Sequence, residues 1–170
     1  MKKTLLFLTV VMAAAFTGCM TAPEPEPLVD LIELDATAAV ELPVVAASAS
    51  AHEEAKGLVA EFAIDGDMET TWTASGKQHI LLDLGAVKKV AYVEIAMKHG
   101  ANRKYKLSME GSVDGSTYFP VLNPTTSSGS TEDMEKYDSA NAELQFLKIN
   151  VAGNNENDWN NFYEVKIYGM

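Results

Sequence analysis

Two short segments of this chain concentrate side chains that hold ligands. Lys98-His99-Gly100-Ala101-Asn102-Arg103 packs cations, an imidazole and an amide into one stretch. Gly153-Asn154-Asn155-Glu156-Asn157-Asp158-Trp159-Asn160 adds several amides and an indole. Planar polar groups suit vicinal hydroxyls, and an aromatic ring offers a flat platform for apolar C–H groups. An arginine adds a carboxylate clamp, because its guanidinium donates two parallel hydrogen bonds. On this chemistry Arg103 and Lys98 are candidates for acidic groups of a ligand, and His99 and Asn154 for its hydroxyls. Trp159 has two readings, a platform (or its support) and a core-edge anchor.

A third cluster, Asp65-Gly66-Asp67 followed by Thr70, gathers oxygen donors. A hard cation takes six to eight such oxygens at roughly 2.3–2.6 Å. The same residues also read as a plain turn, with Glu164 a surface residue. Signals for catalysis are missing. His52, His79 and His99 are scattered, with no His-Glu-x-x-His spacing. No Gly-x-Ser-x-Gly elbow is present. A carboxylate pair for glycoside hydrolysis would not show in spacing alone. Trp72 reads as core, His79 as structural, and His52 is assigned nothing.

The elements that must position these residues are strands. His79-Ile80-Leu81-Leu82-Asp83-Leu84 runs to Gly85, and residues 90–97 alternate in polarity up to His99-Gly100. Residues 105–110 alternate into the Asp114-Gly115 turn, and 144–151 and 162–168 follow. Period-2 runs bounded by turn residues mark half-buried strands. No stretch carries helical periodicity. The expected fold is therefore all-β, an antiparallel sandwich or barrel.

The 170 residues hold 13 Lys+Arg against 24 Asp+Glu, a formal net charge of −11. That balance argues against nucleic acid, which needs a basic footprint. The acid is uneven: residues 21–61 carry nine acidic residues against Lys56, whereas residues 77–106 carry seven bases against Asp83 and Glu94. A local basic face and solvated lysines on outer strand faces are the two readings.

Ahead of the folded part, Lys2 and Lys3 precede an apolar run from Leu5 to Phe16. That is an export signal, too short for a stable span of ~20 residues. It ends in Phe16-Thr17-Gly18-Cys19, which resembles the bacterial lipobox, although Phe16 is less usual there than Leu. Cys19 is the only cysteine, so no intrachain disulfide competes for it. The resemblance implies lipidation of Cys19, and Met20 after it resembles the pattern that sorts to the bacterial outer membrane, on its periplasmic or cell-surface face. Residues 1–18 are thus expected as signal peptide, 19–40 as lipidated Cys and Pro/Glu-rich tether, and 41–170 as the folded domain. Within the tether, Pro23-Glu24-Pro25-Glu26-Pro27 reads as an extended, semi-rigid spacer.

Five pieces in order resemble the coagulation factor 5/8 type C (discoidin) domain, and within it the family 32 carbohydrate-binding modules. They are Ala47-Ser48-Ala49-Ser50; Ala63-Ile64-Asp65-Gly66-Asp67 with Thr70-Thr71-Trp72; Leu82-Asp83-Leu84-Gly85; Ser112-Val113-Asp114-Gly115-Ser116; and Phe162-Tyr163-Glu164-Val165-Lys166-Ile167-Tyr168-Gly169. The two ligand-type loops resemble those of modules joined to alginate lyases, although no catalytic domain accompanies them here. The resemblance implies a jelly roll of about eight strands that binds glycan without catalysis. It also implies a structural Ca²⁺ held by the Phe62 carbonyl, the Asp65 carboxylate, the Asp67 carbonyl, Thr70 and the Glu164 carboxylate. The expected partner is a uronate-containing polysaccharide such as alginate. A cell-envelope lipoprotein using the same sandwich to hold a protein is the alternative.

Overall fold

The structure, a computed structural model, describes residues 39–170. The signal segment, Cys19 and nearly all of the tether lie outside the described residues. Eight strands form: β1 (Val40–Leu42), β2 (Ala46–Ala49), β3 (Trp72–Ser75), β4 (Lys77–Met97), β5 (Tyr105–Ser112), β6 (Phe119–Thr126), β7 (Glu135–Asn154) and β8 (Trp159–Gly169). Two single-turn 3₁₀ segments, Glu54–Lys56 and Ala60–Ala63, bridge β2 and β3. The strand order is β1-β8-β4-β7-β5-β6, with β2 on β4 and β3 on β8. Every pairing is antiparallel.

β4 and β7 are long because each serves both layers of the sandwich. Residues 77–83 of β4 lie between β2 and the later half of β7, while residues 90–97 lie between β8 and its earlier half. Register breaks between Asp83 and Lys88 and between Val90 and Tyr92 mark the corner. Such irregularities bend a strand and increase its twist.

Alternation explains the core. Along β5, Tyr105, Leu107 and Met109 are buried, while Lys106, Ser108 and Glu110 face outward. Ile80, Leu82, Val93, Ile95, Leu147, Ile149 and Ile167 fill the space between the layers. Trp72 is fully buried, packs edge-on against Phe162 with centroids 5.4 Å apart, and donates its indole N–H to the Ala51 carbonyl at 3.0 Å. The core reading of Trp72 holds.

Four details depart from expectation. The two strands read at 79–84 and 90–97 are one continuous β4. β6 carries no clean alternation and contains Pro120 and Pro124, which it tolerates because it is the sheet edge. The earlier half of β7 is rich in charge, and its backbone takes positive φ at Ala140 and Asn141. His79, expected to open its strand, lies inside β4, half-buried on the outer face. Among the described residues no helix is long and apolar enough to cross a membrane.

Candidate functional site

The Asp65 loop follows the 3₁₀ turn Ala60–Ala63 and folds back on itself through local bonds. Asp65 Oδ1 accepts the Asp67 N–H at 2.9 Å, and Asp67 Oδ1 accepts the Glu69 N–H at 2.9 Å. Gly66 takes φ +77° at the apex, a conformation that glycine adopts without strain. Its N–H donates to Glu164 Oε2 at 3.1 Å, across 98 residues of sequence. The loop and the last strand therefore meet.

Around Thr70 the oxygens crowd. Its hydroxyl oxygen lies 2.8 and 3.1 Å from the two Asp65 carboxylate oxygens, 2.9 Å from the Asp67 carbonyl and 3.4 Å from the Phe62 carbonyl. One hydroxyl has one proton, so it cannot satisfy four acceptors at once. Glu164 adds a carboxylate with only 5% of its surface exposed. Burial pushes its pKa above the ordinary value; the Gly66 N–H opposes that, and the Asp65 charge adds to it. Two carboxylates with neutral carbonyl and hydroxyl oxygens form a donor set suited to a hard cation rather than zinc. Among the described residues no three His, Cys, Asp or Glu side chains gather as a metal cluster.

The second assembly lies at the end of the sandwich where β5 begins and β7 ends. Residues 98–104 and 153–158 are stitched together there: the Lys104 N–H donates to Asn155 Oδ1 at 2.7 Å, and the Asn155 N–H to the Lys104 carbonyl at 3.2 Å. The buried Tyr105 fixes the base of the first loop by donating its hydroxyl to the Lys98 carbonyl at 2.7 Å. Burial raises the Tyr105 pKa, against the favourable influence of Asn161 and Arg103 beside it. Gly153 shapes the second loop: at φ +71°, a Cβ there would sit 2.7 Å from the Asn157 carbonyl oxygen.

The five residues expected to touch ligand do not form one cluster. Arg103 borders the stitched loops and has no ion-pair partner among the described residues. Trp159 stands 38% exposed at the mouth of the second loop, opposite Ser75 of β3. Lys98, by contrast, lines a hollow of about 460 Å³ with Glu69, Glu132 and Asp133. His99 Nδ1 lies 3.7 Å from Glu132. These two residues face an acidic flank, which disfavours an anionic sugar there.

Asn154 needs correction. Its side chain is buried, its NH₂ donates to Asn157 Oδ1 at 3.0 Å and to the Trp159 carbonyl at 2.8 Å, and its oxygen accepts the N–H groups of Glu156 and Asn157. An amide has two donors and two acceptor sites, so nothing is left for a sugar hydroxyl. Asn154 builds the loop that presents Trp159. Asn160 does similar work, joining Gly153 to the carbonyls of Ala74 and Gly76. The density of asparagine in this segment was its only sequence signal.

The F5/8 type C domain family matches residues 45–165. Among solved structures, the CBM32 of AlyQ in complex with 4,5-unsaturated mannuronic acid is 35% identical, with 75% of this chain and 97% of that one covered and a TM-score of 0.71. A pectin-binding carbohydrate-binding module is 28% identical over 74% of this chain and 91% of its own, at TM-score 0.72. The family 32 module of C. perfringens NanJ, in complex with galactose, shares the fold at 19% identity and TM-score 0.64, covering 76% of this chain and 98% of that one. No curated protein matches the chain significantly. Eight antiparallel strands, a loop closed by the last strand and these matches agree: the chain belongs to the F5/8 type C (discoidin) family, among its family 32 carbohydrate-binding modules.

Proposed function

We propose that the domain binds a uronate-containing polysaccharide such as alginate, without cleaving it, at the rim made by Arg103, Lys104 and residues 153–159. The observation that carries this reading is an Arg103 with no ion-pair partner among the described residues at the same stitched rim as a part-exposed Trp159. Arg103 clamps a sugar carboxylate, and Trp159 receives a pyranose face. Support comes from two relatives whose ligands are uronates, the mannuronate-complexed module and the pectin-binding module. Single sites of this open kind grip weakly, and many tethered copies raise avidity.

In the same reading the Asp65 loop holds Ca²⁺. The Phe62 and Asp67 carbonyls, the Asp65 and Glu164 carboxylates and Thr70 are its ligands, and the acceptor crowding at Thr70 supports this. The ion supplies charge neutralisation that binds the first part of the domain to its last strand. Lipidation of Cys19 holds the chain on the outer membrane, with acyl chains contributing roughly 0.8 kcal/mol per buried CH₂.

The test is a glycan array in calcium buffer with the wild type and Arg103→Ala. Uronate signals in the wild type that vanish in the variant support the reading. Silence on glycans, with a protein recovered by pulldown, replaces it with the protein-binding alternative.

A further inference from the structure

The outer face of the β4-β7-β5-β6 layer carries a groove of about 420 Å³, within the size range of ligand sites, roughly 300–1,000 Å³. Strand register explains its shape. Lys77 pairs with Ala152, and Lys106 lies on the other flank of Ala152, between the Tyr105–Asn154 and Leu107–Val151 pairs. A methyl group thus separates two lysine stems about 10 Å apart, two strand spacings. One step along the strands, His79, Asn150 and Ser108 form a polar row across β4, β7 and β5. Pro124 and Thr125 of β6 close the far wall.

The charge of this groove is opposite to that of the chain. No Asp or Glu lines it, although the sequence carries a net −11. Lys77, Lys106 and His79 have no ion-pair partner among the described residues. The nearest carboxylate along the row, Glu110, is already bound by Lys148 at 2.7 Å and by the Asn150 amide at 2.9 Å. Lys148 and Asn150 thus hold Glu110, and the nearby His79 of the groove also lowers its pKa.

The groove also continues from the rim. Lys77 follows Gly76, whose N–H donates to the Asp158 carbonyl at 2.8 Å beside Trp159. Lys106 lies two residues beyond Lys104, and Ala152 is adjacent to Gly153. The exposed Glu156 and Asp158 of the second loop and the exposed Lys104 border this junction.

We infer that this groove is a second subsite, taking the continuing units of an anionic polysaccharide, with Lys77 and Lys106 holding a carboxylate over Ala152 and the Asn150–Ser108 row meeting hydroxyls. It rests on the glycan-binding reading above. Two exposed ion pairs contribute about threefold each, so the groove adds roughly tenfold to the affinity for long chains.

The experiment is amide chemical-shift mapping of the wild type with short and long mannuronate oligosaccharides, paired with calorimetry on Lys77→Gln/Lys106→Gln. Both lysines are exposed, so the double variant keeps the fold. Expected are shifts at the rim with the short ligand, at rim and groove with the long one, and roughly tenfold weaker long-chain binding in the variant. Shifts confined to the rim with the long ligand, or an unchanged long-chain affinity in the variant, overturn the groove and leave the rim standing. No shifts with either ligand overturn the rim reading and the groove with it.

Discussion

Replacing Glu164 by Gln separates a cation site from a simple turn. Glutamine keeps the shape and the acceptor for the Gly66 N–H but removes a buried charge. If calcium binds with a dissociation constant of roughly 10⁻⁴ M, as in extracellular modules, then calcium at about 100 times that value stabilises the folded wild type by about 2.7 kcal/mol. For a domain of this size that shifts Tm by about 8–13 °C. The variant loses most of that shift. In chelator the order reverses, because the wild type must then bury an uncompensated carboxylate. The raised pKa of Glu164 fixes the pH signature. Its contribution to stability is present below the ordinary carboxylate pKa and is lost as pH rises through the higher folded value. Chelated wild type should therefore fall behind chelated Glu164→Gln as pH rises from 4 towards 7. Scanning fluorimetry of both proteins, with calcium and with chelator, reads all of this. Equal calcium shifts in the two proteins, or none in the wild type, refute the reasoning.

Other outcomes follow from individual contacts. Trp72→Ala removes a fully buried indole packed on Phe162 and should cost about 3–5 kcal/mol by chemical denaturation. Asn154→Ala removes the side-chain partner of the Trp159 carbonyl and of the Glu156 and Asn157 N–H groups, while Asn157 Oδ1 keeps the Trp159 N–H, so it should lower stability by roughly 1–3 kcal/mol as well as weaken glycan binding. A residue that only touched sugar would change affinity alone. Cys19→Ser should abolish incorporation of a fatty-acid probe in cells, and unchanged labelling would remove the anchor.

What the sequence revealed depended on how directly a pattern maps to physics. β5 was legible because Tyr105, Leu107 and Met109 alternate strictly with polar neighbours. β6 was hidden because its two prolines, harmless on an edge, argue against a strand when read alone. The pairing of Gly66 with Glu164 spans most of the domain, so no local period could signal it; family resemblance pointed to it. The two loops were found by residue type, but residue type does not give direction. Asn154 turned inward to build its loop, and Lys98 turned to an acidic hollow. His79 read as structural because it borders the apolar Ile80-Leu81-Leu82 run, and alternation then placed it on the outer face.

The most direct test of the account is calorimetric titration of the soluble domain, in calcium, with a mannuronate oligosaccharide, for wild type and Arg103→Ala. A bidentate charge-assisted pair contributes roughly 1.5–3 kcal/mol, so the variant should bind about 10- to 100-fold more weakly with an unchanged melting curve. Equal affinity in the two proteins would contradict the assignment of the rim as the site where this domain meets acidic sugar.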